Sequence, residues 1–116
     1  MKALLVLNDA PYGSERSYNG LRLALSLLKQ EGVEVRVFLM SDGVLCALRG
    51  QVTPNGYYNV ERMVGAIARG AGEVGCCGTC SDARGLTDET RAAGARPSSL
   101  EELTRWTLWA DKLLVF

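Results

Sequence analysis

The sequence predicts a compact three-layer α/β domain built on a mostly parallel sheet of four or five strands. Three observations predict it. Lys2–Leu7 is a continuous apolar run, the pattern of a strand buried on both faces rather than half-exposed. Segments with apolar residues at spacings of three and four follow the first two strand-like runs and precede the last. Glycine-, serine- and aspartate-rich turns separate strand from helix, as in chains of βα units, whose crossovers are right-handed and whose helices cover both faces.

Each element has its own warrant. After the first strand, Asn8-Asp9-Ala10-Pro11-Tyr12-Gly13 reads as a loop, with Ser14 or Ser17 as N-cap of the next helix. Tyr18, Leu21, Leu25 and Leu28 make the apolar stripe of that helix, Ala24 and Leu27 widen it, and Gly32 is its expected stop after Glu31. Val33–Met40 is the second strand, ended by Ser41-Asp42-Gly43, and Val44–Leu48 reads as a short helix. Gly50–Asn59, with Pro54-Asn55-Gly56, reads as an exposed, partner-contacting loop. Val60, Met63, Val64 and Ile67 mark a helix ending near Gly70, and Glu73–Cys76 a third strand. Beyond it, Ser81–Gly85 reads as one or two helical turns, Thr87–Thr90 as a short capped helix, and Gly94–Pro97 as a candidate fifth strand. Ser98-Ser99-Leu100-Glu101-Glu102 is a capping box opening a helix that carries Leu103, Trp106 and Ala110. Leu113–Phe116 closes the chain as a strand expected to be buried in the sheet.

Composition narrows the chemistry. At 116 residues the chain is read as a single domain, residues 1–116, with a core that needs no staples. No apolar run is long enough to span a bilayer, and Asn8-Asp9 interrupts the first one, so neither a membrane segment nor a signal peptide is expected. Thirteen basic and thirteen acidic side chains balance, which removes the electrostatic case for nucleic acid or an anionic membrane. There is no histidine, so Ser-His-Asp and Cys-His catalysis and histidine-ligated metals are excluded. The expected compartment is cytoplasmic, with thiols reduced.

Three of the four cysteines fall within Cys76-Cys77-Gly78-Thr79-Cys80, between a strand and a helical turn. A thiol there faces unpaired backbone N–H groups, which favour the reactive thiolate. The C-x-x-C formed by Cys77 and Cys80 has three readings: dithiol redox chemistry, zinc binding with Cys46 as distant ligand, and a single nucleophile that accepts and passes on a group. Redox chemistry of the thioredoxin type is disfavoured by the position after a third strand, and zinc by the missing fourth ligand. Cys46 and Cys76 read as small core residues. Arg84 has two readings, a charge in a last helical turn beside its stop glycine Gly85, or a partner for a thiolate. The Asp9–Ser14 loop lacks the glycines of a nucleotide loop, and Asp9 and Asp42 read as turn carboxylates bordering the cysteine edge. In a parallel sheet, Asn8-Asp9, Ser41-Asp42 and Cys77 should gather at one edge, beyond the carboxyl ends of the strands. Trp106 and Trp109 read as core and surface aromatics of the last long helix.

Over its whole length the chain resembles the DsrE/DsrF-like family of small sulfur-relay proteins, which includes the YchN-like and TusD-like proteins. The resemblance is carried by Pro11-Tyr12-Gly13-Ser14-Glu15-Arg16 leading into Asn19–Ala24, by Asp42-Gly43-Val44, and above all by Cys77-Gly78-Thr79-Cys80 with Ala83-Arg84-Gly85. It implies a flavodoxin-like fold and assembly into homotrimers or homohexamers. In the TusD-like branch a cysteine seven residues before an Arg-Gly pair carries a persulfide, and that position is Cys77 here. Cys80 fills a second position, occupied by cysteine in other branches, so either thiol could load. The resemblance thus implies a sulfur carrier that takes sulfur from a donor protein and passes it to an acceptor protein; separately, no cofactor or metal is expected. Its candidate site is Cys77 and Cys80, supported by Arg84, Asp9, Tyr12 and Asp42. The alternatives from the residues alone are a C-x-x-C oxidoreductase and a non-catalytic interaction or metal-binding subunit.

Overall fold

A computed structural model describes all 116 residues. Five strands, β1 (Lys2–Leu7), β2 (Glu34–Leu39), β3 (Glu73–Cys77), β4 (Ala95–Ser98) and β5 (Lys112–Val115), form one sheet in the order β4-β3-β2-β1-β5. Every neighbouring pair is parallel, so the sheet is wholly rather than mostly so. The helices are α1 (Arg16–Leu27), α2 (Val60–Arg69), α3 (Gly78–Ala83) and α4 (Leu100–Trp109), with a 3₁₀ helix over Ser41–Ala47. The candidate fifth strand is real, as β4.

Strand register sorts the side chains into two layers. Ala3, Leu5 and Leu7 align with Val35, Val37 and Leu39, and these with Val74 and Cys76. They form the core with Leu21 and Ala24 of α1 and Val64 and Ile67 of α2. Leu4 and Val6 share the other face with Arg36, Phe38, Gly75 and Cys77. There α4 packs: Trp106 meets the Phe38 ring edge-on at 6.2 Å, and a side chain at Gly75 would run into the indole. Arg36 covers Trp109, its guanidinium 3.9 Å from the ring centre, so one tryptophan is core and the other is capped by a cation.

Several boundaries differ from the sequence reading. Neither Ser14 nor Ser17 is the N-cap of α1, which is Glu15, with Ser17 already inside the helix; both hydroxyls donate to Asp9, Ser14 to its carboxylate at 2.7 Å and Ser17 to its carbonyl at 2.6 Å. The helix ends at Leu27 rather than Glu31, since Lys29 and Gln30 bond back to Ser26 and Leu27 and tighten the last turn. The short helix expected over Val44–Leu48 is instead the later part of the 3₁₀ helix, which ends at Ala47 with Leu48 extended. Thr87–Thr90 is a single turn, closed when Thr90 N–H bonds to the Thr87 carbonyl and Thr87 N–H to the Thr90 hydroxyl. Of the expected capping box only half forms: Ser99 accepts from Glu102 N–H at 3.2 Å, but the Glu102 carboxylate turns to Arg96 and Ser98 instead of the Ser99 N–H. The final strand is an edge, and Leu113 and Val115 are exposed rather than buried.

Strand order reverses between β1 and β5, the place where open parallel sheets commonly take ligands. Here Phe116 occupies it. Its carbonyl accepts from Asn8 N–H at 2.9 Å, and its ring lies where any side chain at Gly20 would have to go. The neighbouring strand ends, after β2 and β3, are left to form the site.

Candidate functional site

The carboxyl ends of β1, β2 and β3 share one edge of the sheet. The 3₁₀ helix is drawn against β1 there, because Gly43 N–H reaches both the Asn8 carbonyl at 3.0 Å and the Met40 carbonyl at 2.9 Å. Cys77 ends β3 and is the N-cap residue of α3; Cys80 lies one turn on. Ser81 locks the junction, its hydroxyl donating to the Cys77 carbonyl at 2.7 Å and lying 3.5 Å from Cys76 Sγ.

The two thiols of the turn are driven apart. Burial pushes the Cys77 thiol up, but the Cys80 thiol, the Thr79 hydroxyl 3.4 Å away and the N–H groups of Cys80 and Thr79 outweigh it. The net direction for Cys77 is down. Its sulfur makes no cap hydrogen bond of ordinary geometry, so the N–H groups act as dipoles rather than as donors to a formed bond. Cys80 moves up, through burial first and then through its hydrogen bond with Cys77, with Ser41 N–H and Arg84 pulling the other way. Cys77 is therefore the more acidic thiol of the pair and Cys80 the less acidic. All four cysteines are free. Burial drives Cys46 up to about 12 and raises Cys76 as well, so neither is a nucleophile at neutral pH.

Arg84 and Asp42 join this site, and Asp9 and Tyr12 do not. Arg84 Nε donates to Asp42 Oδ1 at 2.9 Å and Nη1 to the Cys80 carbonyl at 3.0 Å, so the arginine clamps α3 to the 3₁₀ helix. Arg84 sits at the end of α3 as its C-cap residue and bonds no sulfur; its charge only offsets part of the upward shift of Cys80. Asp9 organises its own loop through Ser14, Ser17 and Arg16. Tyr12 donates to Gln51 Oε1 at 2.6 Å and accepts from Val60 N–H at 3.1 Å. Its ring stacks with Tyr58, 5.6 Å away, which pins the Gly50–Asn59 loop to the loop after β1.

Beside Cys77 opens a cleft of about 470 Å³ between α3 and α4, walled by Phe38, Met40, Leu100 and Leu103. The sequence showed these residues only as strand and helix positions; the parallel register of β2 and β3 and the return of α4 bring them to the thiol. Thr79 was legible in principle, as a hydroxyl two residues into a helix opened by cysteine. No group of three or more His, Cys, Asp or Glu side chains is placed to hold a metal ion. No helix is long and apolar enough to cross a membrane.

A wholly parallel α/β domain with a thiolate-favouring cysteine at the β3–α3 turn defines a class of cysteine-bearing three-layer proteins. The chain belongs to the DsrE/DsrF-like family, whose sequence pattern it matches over residues 1–116. It is 44% identical to protein YchN of Escherichia coli over 116 residues, covering 99% of this chain and 98% of that one. It is 39% identical over 112 residues to protein MK0008 of Methanopyrus kandleri, covering 97% and 91% of the two chains. The crystal structure of E. coli YchN superposes with a TM-score of 0.92, at 44% identity over 99% of this chain and 98% of that one. MTH1491 of Methanobacterium thermoautotrophicum, 13% identical, shares the fold at a TM-score of 0.76 over 99% and 98%.

Proposed function

We propose that this protein is a cytoplasmic sulfur carrier that holds sulfane sulfur as a persulfide on Cys77. The observation that carries the reading is the placement of Cys77 at the end of β3 and the start of α3, on the cleft and with the Thr79 hydroxyl 3.4 Å from its sulfur. Its thiol is also shifted down where those of the other three cysteines are shifted up. Membership of the DsrE/DsrF-like family is consistent with a sulfur-relay role. The Cys77 thiolate attacks the outer sulfur of a donor persulfide, the donor's S–S bond breaks, and the donor leaves as a thiolate that takes up a proton. The Thr79 hydroxyl and the N–H groups at the start of α3 stabilise the terminal anion; Arg84 and Asp42 hold α3 in place. Cys80 is the alternative acceptor and the resolving thiol. Its attack on the inner sulfur releases hydrosulfide and leaves a Cys77–Cys80 disulfide. An acceptor protein takes the outer sulfur by the reverse of loading.

The working form we propose is a homotrimer or homohexamer, supported by Leu108, Leu113 and Val115, large apolar side chains left exposed on α4 and β5. The test is intact-mass and peptide mass spectrometry of reduced protein after exposure to a sulfane-sulfur donor. One added sulfur on Cys77, removable by reductant and absent in Cys77→Ser, is the expected result. Full loading of Cys77→Ser overturns the assignment to Cys77. Loss of two hydrogens in place of any gain makes the protein a dithiol oxidoreductase instead.

A further inference from the structure

The cleft beside Cys77 has a chemical character that selects what can reach the sulfur. Its apolar wall is Phe38, Met40, Leu100 and Leu103. No lysine or arginine lines it, and besides Cys77 its one ionisable group is the carboxylate of Asp82. The nearby cation, Arg84, is turned away onto Asp42 and the Cys80 carbonyl. The serine hydroxyls at the rim are already committed to the cap of α4: Ser98 donates to Glu102 Oε1 at 2.5 Å and Ser99 accepts from Glu102 N–H at 3.2 Å.

An anionic sulfur donor entering this space would lose its hydration, meet a like charge and find no cation. Thiosulfate and carboxylate-bearing peptide persulfides are disfavoured on that ground, since the Thr79 hydroxyl and the N–H groups of α3 offer partial charges only. An apolar body loses nothing, and about 470 Å³ falls in the range of small-molecule pockets. Cys77 itself is only 9% exposed, so a small donor that fits the cleft reaches it more readily than a thiol fixed on a folded surface. The outer sulfur of a loaded persulfide, by contrast, stands about 2 Å further out, within reach of an acceptor protein.

We propose that sulfur arrives at Cys77 on an uncharged, apolar, low-molecular-weight persulfide whose alkyl or aryl body lies in the cleft between α3 and α4. This rests on the persulfide-carrier reading and adds the class of its donor. In the loading step Cys77 thiolate takes the outer sulfur, the donor's S–S bond breaks, and the apolar thiolate left behind is protonated by solvent and departs.

The test separates shape and charge from leaving-group chemistry. Native reduced protein is treated with pyridyl disulfides bearing methyl, hexyl or ω-carboxypentyl groups. In each, Cys77 thiolate attacks the alkyl-bearing sulfur and the same pyridinethiolate leaves, so differences in initial rate report on the cleft. The site of reaction is mapped by peptide mass spectrometry. The hexyl reagent should outpace the methyl one by at least about tenfold, since each buried methylene favours binding, and the carboxylate should erase that gain. Leu100→Glu, at a side chain 71% exposed and so not needed for folding, should collapse the hexyl-to-methyl ratio. Leu23→Glu, exposed on α1 and outside the cleft, should leave the ratio unchanged. Equal rates for the three reagents, or the carboxylate fastest, overturn the inference. So does loading by thiosulfate as efficient as loading by hexyl persulfide, an outcome that leaves the carrier reading standing. The expected ranking without sulfur on Cys77 from any donor overturns the carrier reading instead, and leaves a cleft selective for apolar disulfides.

Discussion

Cys76 and Cys77 are joined by one peptide bond and face opposite sides of the sheet. Cys76 is wholly buried on the α1–α2 side, with Ser81 Oγ 3.5 Å from its sulfur and the Val44 carbonyl 4.0 Å away. Cys77, one residue on, opens on the α4 side into the cleft walled by Phe38 and Leu103. The alternation is that of any strand, and it divides the labour of the cysteine cluster: one sulfur belongs to the core, the next to chemistry.

Alkylation should follow that division. With iodoacetamide at neutral pH, Cys77 is expected to react first and Cys80 second, while Cys46 and Cys76 stay unmodified until the protein is unfolded. Cys80→Ala removes a donor that lowers Cys77, so the midpoint of the Cys77 pH–rate profile should move up and its rate at neutral pH should fall. Time-resolved peptide mapping across a pH series measures both. An unmoved midpoint in Cys80→Ala would remove Cys80 from the activation of Cys77.

Gly43 offers a structural test of the site's frame. A methyl group there would collide with the backbone carbonyl oxygen of Leu7, and backbone cannot step aside. Gly43→Ala must therefore lift the 3₁₀ helix off β1 and carry Asp42 away from Arg84. The expected loss is about 1–3 kcal/mol in urea denaturation, the usual cost of overpacking a closed contact. Removing only the exposed ion pair, with Asp42→Asn, which leaves the bond from Arg84 to the Cys80 carbonyl in place, should cost under about 1 kcal/mol. Equal losses in the two variants would show that the ion pair, not the close backbone approach, holds the segment.

The sequence announced the fold through patterns that are local. A continuous apolar run marks β1 and apolar residues at alternate positions mark β2, the Asp42-Gly43 turn ends β2, and Ser99 caps α4 through Glu102 N–H. The cysteine turn was legible for the same reason, since strand, sulfur, glycine and helix follow one another along the chain. What could not be read depends on residues far apart. Asp9 takes the hydroxyls of both candidate caps, and nothing local says that it will. Phe116 fills the crevice at the strand reversal only because β5 lands beside β1. The cleft needs β2, β3 and α4 together, which no short stretch of sequence encodes. β5 reads as buried by composition, and its edge position, which leaves Val115 exposed, is decided by strand order alone.

Buried Cys46 should make the protein weaken in alkali, and the sign follows from its environment. Burial is the largest cause of its shift, with the Ser17 hydrogen bond pulling in the other direction, and the thiol is pushed from an ordinary 9.0 up to about 12. The folded state therefore keeps this proton where the unfolded chain releases it. The stability so contributed is complete below about pH 9 and is lost as pH rises from there toward about 12. Cys76 acts in the same direction and Cys77 against it. Tyr58, raised from 10.0 to about 12, joins the loss only above about pH 10. Under reducing conditions, unfolding free energy should fall by about 1 kcal/mol between about pH 8 and about pH 10, read from urea midpoints. Cys46→Ala should flatten that slope, whatever it does to stability at the lower pH, because the pH dependence belongs to the proton and the packing loss does not. A slope unchanged in Cys46→Ala would assign the alkaline loss to other groups and would mean that Cys46 is as free to ionise in the folded protein as in the unfolded chain.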